Sequence, residues 1–376
     1  MIYLDNAATT KVDDRVLQEM LPYFTEDYGN PSSVYSFSRK SADAVEHTRE
    51  VIAQAINAKP EEIYFTSGAS EANNWILRKV VELVGERLAT STIEHHSVLN
   101  TCKDLEKHGC SVYYINVNEN GVVSKDEIEE TVYAYDPDCV SIMTANNEIG
   151  TIQSLIEIGE LLDRKNIFFH TDATQAFGHI PIDVQDNKID FLSASAHKFG
   201  GPKGVGFAYI GKGYNIGPLI DGGSQERNKR AGTLNVPGIV GMGKAVEICM
   251  DEMFLRIERE VNMRDHLIDR VLNEIPNSKL NGGREKRLPN NANFCFEGVS
   301  GEALLMMLDG AGICVSSGSA CTAGNGEPSH VLKAIGLSDE QARNSIRITL
   351  SHENTLKEID YVVDKLKQFV ERLRGL

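Results

Sequence analysis

Short apolar runs alternate with amphipathic stretches along the first two-thirds of the chain. The runs, rich in β-formers, fall at residues 63–65, 88–93, 112–115, 140–144, 167–171, 191–194 and 205–210. Between several of them lie stretches with helical periodicity, such as 41–56 and 154–165. Strand, helix, strand in this rhythm predicts a mostly parallel sheet covered on both faces. Ligands in such sheets gather beyond the carboxyl ends of the strands, so residues just after each run are the ones to inspect.

Near Gly238 the pattern changes. A long helical run over 239–275 leads to shorter strands at 292–296, 313–316 and 346–350, and then to a final amphipathic helix at 355–372. The prediction is an α/β chain with a large domain built on a mostly parallel seven-stranded sheet covered by helices, plus a smaller α+β domain. We expect the large domain at 14–253 and the small one at 1–13 with 254–376.

Charge and cysteine usage narrow the class. A net charge of −16 argues against a protein that neutralises nucleic-acid phosphates, so no stable nucleic-acid binding is expected. The opening MIYLDNAATT has no basic segment followed by an apolar run, and no stretch approaches the roughly 20 apolar residues of a membrane span. The seven cysteines (Cys102, Cys110, Cys139, Cys249, Cys295, Cys314 and Cys321) form no CxxC pair. That argues against a disulfide framework and a zinc site, and favours a reducing, cytoplasmic compartment.

Several polar clusters follow strands. Lys198, in Ser193-Ala194-Ser195-Ala196-His197-Lys198-Phe199-Gly200-Gly201, stands between an apolar run and a Gly-rich turn, where an amine can enter a cleft and hold an aldehyde. An exposed loop lysine is the plain alternative. Asp172 and Gln175 end another strand, where a carboxylate can keep a pyridinium nitrogen protonated or simply cap a helix. Thr66-Ser67-Gly68-Ala69-Ser70-Glu71 opens a helix with small residues, as a phosphate seat or an ordinary capped start would. There is no GxxxxGK[ST] P-loop, and Gly238-Ile239-Val240-Gly241-Met242-Gly243 misses the dinucleotide spacing. His95, in Glu94-His95-His96, offers a flat ring to stack on a cofactor, and Asn146-Asn147-Glu148 adds polar groups at the same edge. Cys321 differs from the other cysteines because it sits in a small, polar, glycine-rich loop at 316–328, which suits a nucleophile.

Taken together, these motifs resemble the class V pyridoxal-phosphate superfamily, and within it the cysteine desulfurases of the NifS/IscS type. The resemblance runs from Tyr3-Leu4-Asp5-Asn6-Ala7-Ala8-Thr9-Thr10 to Ser345-Ile346-Arg347-Ile348, and the cysteine loop selects the desulfurases. It implies pyridoxal 5'-phosphate held by Lys198, with Asp172 and Gln175 at the ring and His95 stacked on it as a catalytic group that shuttles a proton to or from the substrate. Ala69, Ser70, Ser195 and His197 match the phosphate seat, while Asn147 and Arg347 resemble the groups near the ring and the substrate carboxylate. Thr233, in Arg230-Ala231-Gly232-Thr233, resembles a segment lent to the neighbouring subunit, which implies a homodimer. Cys321 matches the nucleophile that takes sulfur from L-cysteine as a persulfide and leaves L-alanine. A sulfur-acceptor protein, an iron–sulfur scaffold or a tRNA-thiolation enzyme, would receive it. The chain departs from the family pattern at Tyr35, Ser38, Asp221 and Asn228, and lacks the extended tail some members use for docking. A selenocysteine lyase or class V aminotransferase, and a non-catalytic sulfur-transfer scaffold, are the alternative readings.

Overall fold

A computed structural model of the chain describes residues 1–317 and 327–375. After a short first strand, β1 (Ile2–Tyr3), come β2 (Ile63–Thr66), β3 (Arg87–Ser91), β4 (Ser111–Ile115), β5 (Cys139–Ser141), β6 (Phe168–Asp172), β7 (Phe191–Ser195) and β8 (Gly206–Ile210). The last seven form one sheet in the order β2-β8-β7-β6-β5-β3-β4. All neighbours from β7 to β4 pair in parallel, and only β8 runs against its two partners. The sheet therefore matches the predicted architecture strand for strand.

Alternation along the strands explains why both faces are covered. On β8, Phe207 and Tyr209 pack into one cluster with Ile52, Phe169 and Val246, while Ala208 and Ile210 pack into another with Trp75, Ile76 and Leu88. Helices lie over each face, with Arg39–Ala55 on the first side and Ala69–Val84 on the second.

The second half is built on β9 (Ser278–Leu280), β10 (Asn291–Phe296), β11 (Ile313–Cys314), β12 (Ser316–Ser317) and β13 (Ser345–Thr349). An antiparallel sheet has the order β12-β13-β10-β9, whereas β11 pairs in parallel with β1. This corrects the expectation of one strand over 313–316. The amino-terminal segment lies between the two pieces, with Leu4 N–H donating to Cys314 O at 2.9 Å and Leu4 O accepting from Thr349 N–H at 2.7 Å. The chain must change partner at Val315 to make room for it.

One helix of 39 residues, Val236–Glu274, joins the two halves. It starts earlier than the apolar pattern indicated, because Asn235 accepts a hydrogen bond from Gly238 N–H and Pro237 occupies the first turn. Val236 to Cys249 contribute to the large core, and Met263 to Val271 to a second core with Leu4, Phe294, Ile346 and Leu366. Among the described residues no helix is long and apolar enough to cross a membrane.

Candidate active site

Turns at the carboxyl ends of β2, β3, β5, β6 and β7 open on one cavity of about 670 Å³. Ala69, Ser70, His95, Asn147, Asp172, Gln175, Ser195, His197, Lys198 and Arg347 all line it. Thr233 does not, and lies on an exposed loop. Cys321 lies outside the described residues.

One end of the cavity is the start of the Ala69–Val84 helix, capped by Gly68 without any side-chain hydrogen bond. The first backbone N–H groups of a helix have no partner inside it, and its dipole favours an anion there. This turn lies close on β8, where a Cβ at Gly206 would come within 2.7 Å of Gly68 Cα, so only glycine fits. Ser195 and His197 flank the turn at the end of β7. Burial pushes the His197 imidazole down to about 4, and the nearby Lys198 and Lys203 charges add to this.

Lys198 ends the tight turn after β7, and its Nζ donates to Ala7 O at 2.6 Å and Ala8 O at 2.9 Å. The amino-terminal segment is thus part of the site. Its Thr10 N–H bonds to His197 O at 2.9 Å, and its Asp5 carboxylate accepts from Arg347 Nη2 at 2.8 Å. Gln175 Nε2 donates to Ala7 O at 3.0 Å on the same stretch.

Asp172 is buried at the end of β6 and faces the cavity. Its Oδ1 accepts from Thr174 N–H at 2.9 Å, as a capping carboxylate would, and its Oδ2 accepts from Asn73 Nδ2 at 2.7 Å. A carboxylate has lone pairs to spare beyond two bonds. His95 caps the His96–Lys107 helix. Burial holds its proton affinity below that of an ordinary histidine; Lys198 and His96 push the same way, and Asp172 opposes them. Arg347 is more committed than expected. Besides Asp5 it donates from Nη1 to Asn147 O at 3.1 Å, while its buried Nε has no partner among the described residues. A two-pronged grip on a carboxylate here requires Asp5 to give way.

Sequence reasoning missed Asn73, Thr174 and His330, and took Glu148 only as one of the polar groups at the sheet edge. Asn73 carried a usable signal, because it occupies the buried stripe of an amphipathic helix, four residues from Ala69 and three from Ile76. Glu148 faces the cavity and accepts from Ser329 Oγ at 2.5 Å. Burial raises its carboxyl to about 7, against the Ser329 bond and the Arg347 charge. No sequence pattern announced that pairing, which joins residues 181 apart.

The family described as Aminotransferase class-V matches residues 2–362. A protein named cysteine desulfurase IscS from Clostridium botulinum (strain Hall) is 50% identical over 380 residues, covering all of this chain and 96% of that one. The chain belongs to the class-V aminotransferases, in their cysteine desulfurase group. A solved structure described as a NifS-like protein superposes with a TM-score of 0.92 at 40% identity, covering 99% of both chains. Another, described as SspA in complex with cysteine, has a TM-score of 0.83 at 37% identity, covering 94% of this chain and all of that one.

Enzymes of this family depend on pyridoxal phosphate, and the cavity fits that group. It pairs a helix start, set by a Gly68 turn packed too closely on Gly206 for any Cβ there, with a lysine amine and a buried carboxylate. It also holds Thr174 Oγ1, a buried polar atom with no partner among the described residues. These are the needs of a phosphate, an aldehyde and a ring nitrogen.

Proposed function

We propose that this chain removes sulfur from L-cysteine, giving L-alanine and a persulfide on Cys321. The carrying observation is that Lys198, Asp172, His95 and Arg347 converge on one cavity with a helix start at its end. The division of labour follows from chemistry. Lys198 would hold the cofactor aldehyde, Asp172 the ring nitrogen, and Gln175 and Asn147 the ring's polar edge. Ala69, Ser70, Ser195 and His197 would seat its phosphate. His95 would lie against the ring, and Arg347 would take the substrate carboxylate in exchange for Asp5. When bound, pyridoxal phosphate supplies an aldehyde for the substrate amine and a ring that takes up electrons from the α-carbon.

In this reading the released Lys198 amine moves the α-proton, and Asp172 holds the ring nitrogen in its charged state. The Cys321 thiolate attacks the substrate sulfur. The carbon–sulfur bond breaks with its electron pair left on carbon, and a proton added there completes L-alanine. Enzyme thiol plus L-cysteine thus become enzyme persulfide plus L-alanine, with no outside oxidant.

Residues 14–253 would form the cofactor unit, and 1–13 with 254–376 the unit that carries the cysteine. Thr233, exposed in one chain, would complete the phosphate site of a second copy in a homodimer. A protein acceptor would take the sulfur on, for cluster assembly or tRNA thiolation. Incubating the pyridoxal-phosphate-loaded protein with L-cysteine and assaying alanine and sulfide together tests the reading. Equal yields in the presence of a thiol reductant support it, and absence of alanine overturns it. Running L-selenocysteine in parallel ranks the two substrates.

A further inference from the structure

The His95 ring is fixed by a hydrogen-bonded chain that runs to Asp172 in the same cavity. Ser97 N–H donates to His95 Nδ1 at 3.1 Å, and a backbone amide can only donate. Nδ1 therefore carries no proton. The Ser97 hydroxyl lies 2.8 Å from the same nitrogen and must point its own hydrogen there. That hydroxyl in turn accepts from Asn73 Nδ2 at 2.9 Å. Asn73 is fully buried and its amide orientation is not free, because the same Nδ2 donates to the Asp172 carboxylate at 2.7 Å. Its Oδ1 accepts from Ser193 Oγ, so every polar group of Asn73 is used.

We infer that Asn73 and Ser97 are positioning residues that hold His95 as the neutral tautomer protonated on Nε2 and tie that setting to Asp172. The ring nitrogen not bound to the helix is then a donor. To whatever fills the cavity, His95 offers an N–H and not a base, and it orients a thiol or a ring oxygen by donating to it. Protonating Nδ1 would set a third hydrogen against two donors already aimed at it. The charged and titratable groups around His95 are Asp172, which favours the imidazolium, and Lys198, His96 and His330, which oppose it. Burial sides with the latter three, so the surroundings agree with the geometry.

The inference rests on the proposed cofactor site only for its catalytic meaning; the tautomer itself can be read without turnover. The test is nitrogen-15 NMR of the pyridoxal-phosphate-loaded protein labelled at histidine, with His95 assigned by its loss in H95Q. The expected spectrum shows an unprotonated Nδ1 and a protonated Nε2, with a titration midpoint below that of an exposed histidine. S97A removes one donor to Nδ1, so the midpoint should rise by about half to one pH unit, the worth of one net hydrogen bond. S97T keeps the hydroxyl and should restore the wild-type midpoint. A proton on Nδ1 in the wild type, or an S97A midpoint that stays put or falls, overturns the inference. A protein that binds no pyridoxal phosphate sinks the proposed function instead, and the tautomer can still be scored in that sample.

Discussion

Replacing Glu226 with alanine should destabilise the fold and loosen the loop that carries Thr233. Glu226 sits in a turn at 225–228 that closes the outer edge of β2. Its carboxylate accepts from Arg49 Nη1 and Nη2 at 3.0 and 2.8 Å and from Phe65 N–H at 2.8 Å. The two side chains are 4% and 1% exposed. Arg49 and Arg227 also donate to Ile63 O, both at 2.6 Å, so Ile63 O and Phe65 N–H on a strand edge that would invite pairing are both occupied. Removing one partner of a buried ion pair costs about 3–5 kcal/mol, because the other charge remains buried. Against that, Glu226 and Arg227 hold left-handed backbone at φ 45° and 57°. Releasing the turn returns roughly 1 kcal/mol for each. The net loss for Glu226→Ala is therefore about 2 kcal/mol, or roughly 2–3 °C in Tm for a chain of 376 residues. Thermal unfolding with the cofactor held at saturation measures it, and limited proteolysis should cut first within 221–233. The paired change Arg49→Met with Glu226→Leu removes both charges and should lie within about 1 kcal/mol of wild type. A Glu226→Ala protein melting with wild type and resisting cleavage, or a double variant as unstable as the two single losses added, would refute the reasoning.

Glu94, buried beside Ser91 and Met143, is raised from 4.5 to about 8 chiefly by burial, with its hydrogen bonds opposing. The native state then binds the proton more tightly than the unfolded chain, so this group's contribution is full below about pH 4.5 and lost as pH rises towards about 8. Glu94→Gln should flatten that part of the stability profile, and urea midpoints at about pH 5 and about pH 8.5 check it. Burial raises the thiols of Cys102 and Cys139 and pushes Cys249 up to about 12, so brief alkylation of the folded protein should spare all three. Peptide mapping should find Cys321 modified fastest, and equal labelling of Cys249 would count against this. Gly206→Ala should weaken pyridoxal-phosphate binding about tenfold or more, since the new methyl meets Ala194 O on β7 as well as Gly68 at the turn, and circular dichroism checks that the sheet still forms. Unchanged affinity in a cofactor titration would show that the turn does not seat the phosphate.

The sheet was legible because strands buried on both faces must be apolar, and the turns after them are where polar side chains have a cavity to enter. Asp172 and Lys198 stood out for that reason. Contacts between distant parts of the chain left no local trace. Lys198 meets Ala7 across 191 residues and Arg347 meets Asp5 across 342, so the role of the amino-terminal segment became visible only in the fold. The split of 313–316 has the same origin. Asn73 was readable in principle as a polar residue on a buried helical stripe, whereas its link through Ser97 to His95 depends on how two helices pack.

The most direct test of the account is to follow the sulfur. The pyridoxal-phosphate-loaded protein is given one equivalent of L-cysteine labelled with heavy sulfur, without any reductant, then quenched, digested and mapped by mass spectrometry. The account predicts one labelled sulfur on the peptide containing Cys321, with an equal amount of L-alanine released. Label on another cysteine, or pyruvate and ammonia in place of alanine, would contradict it.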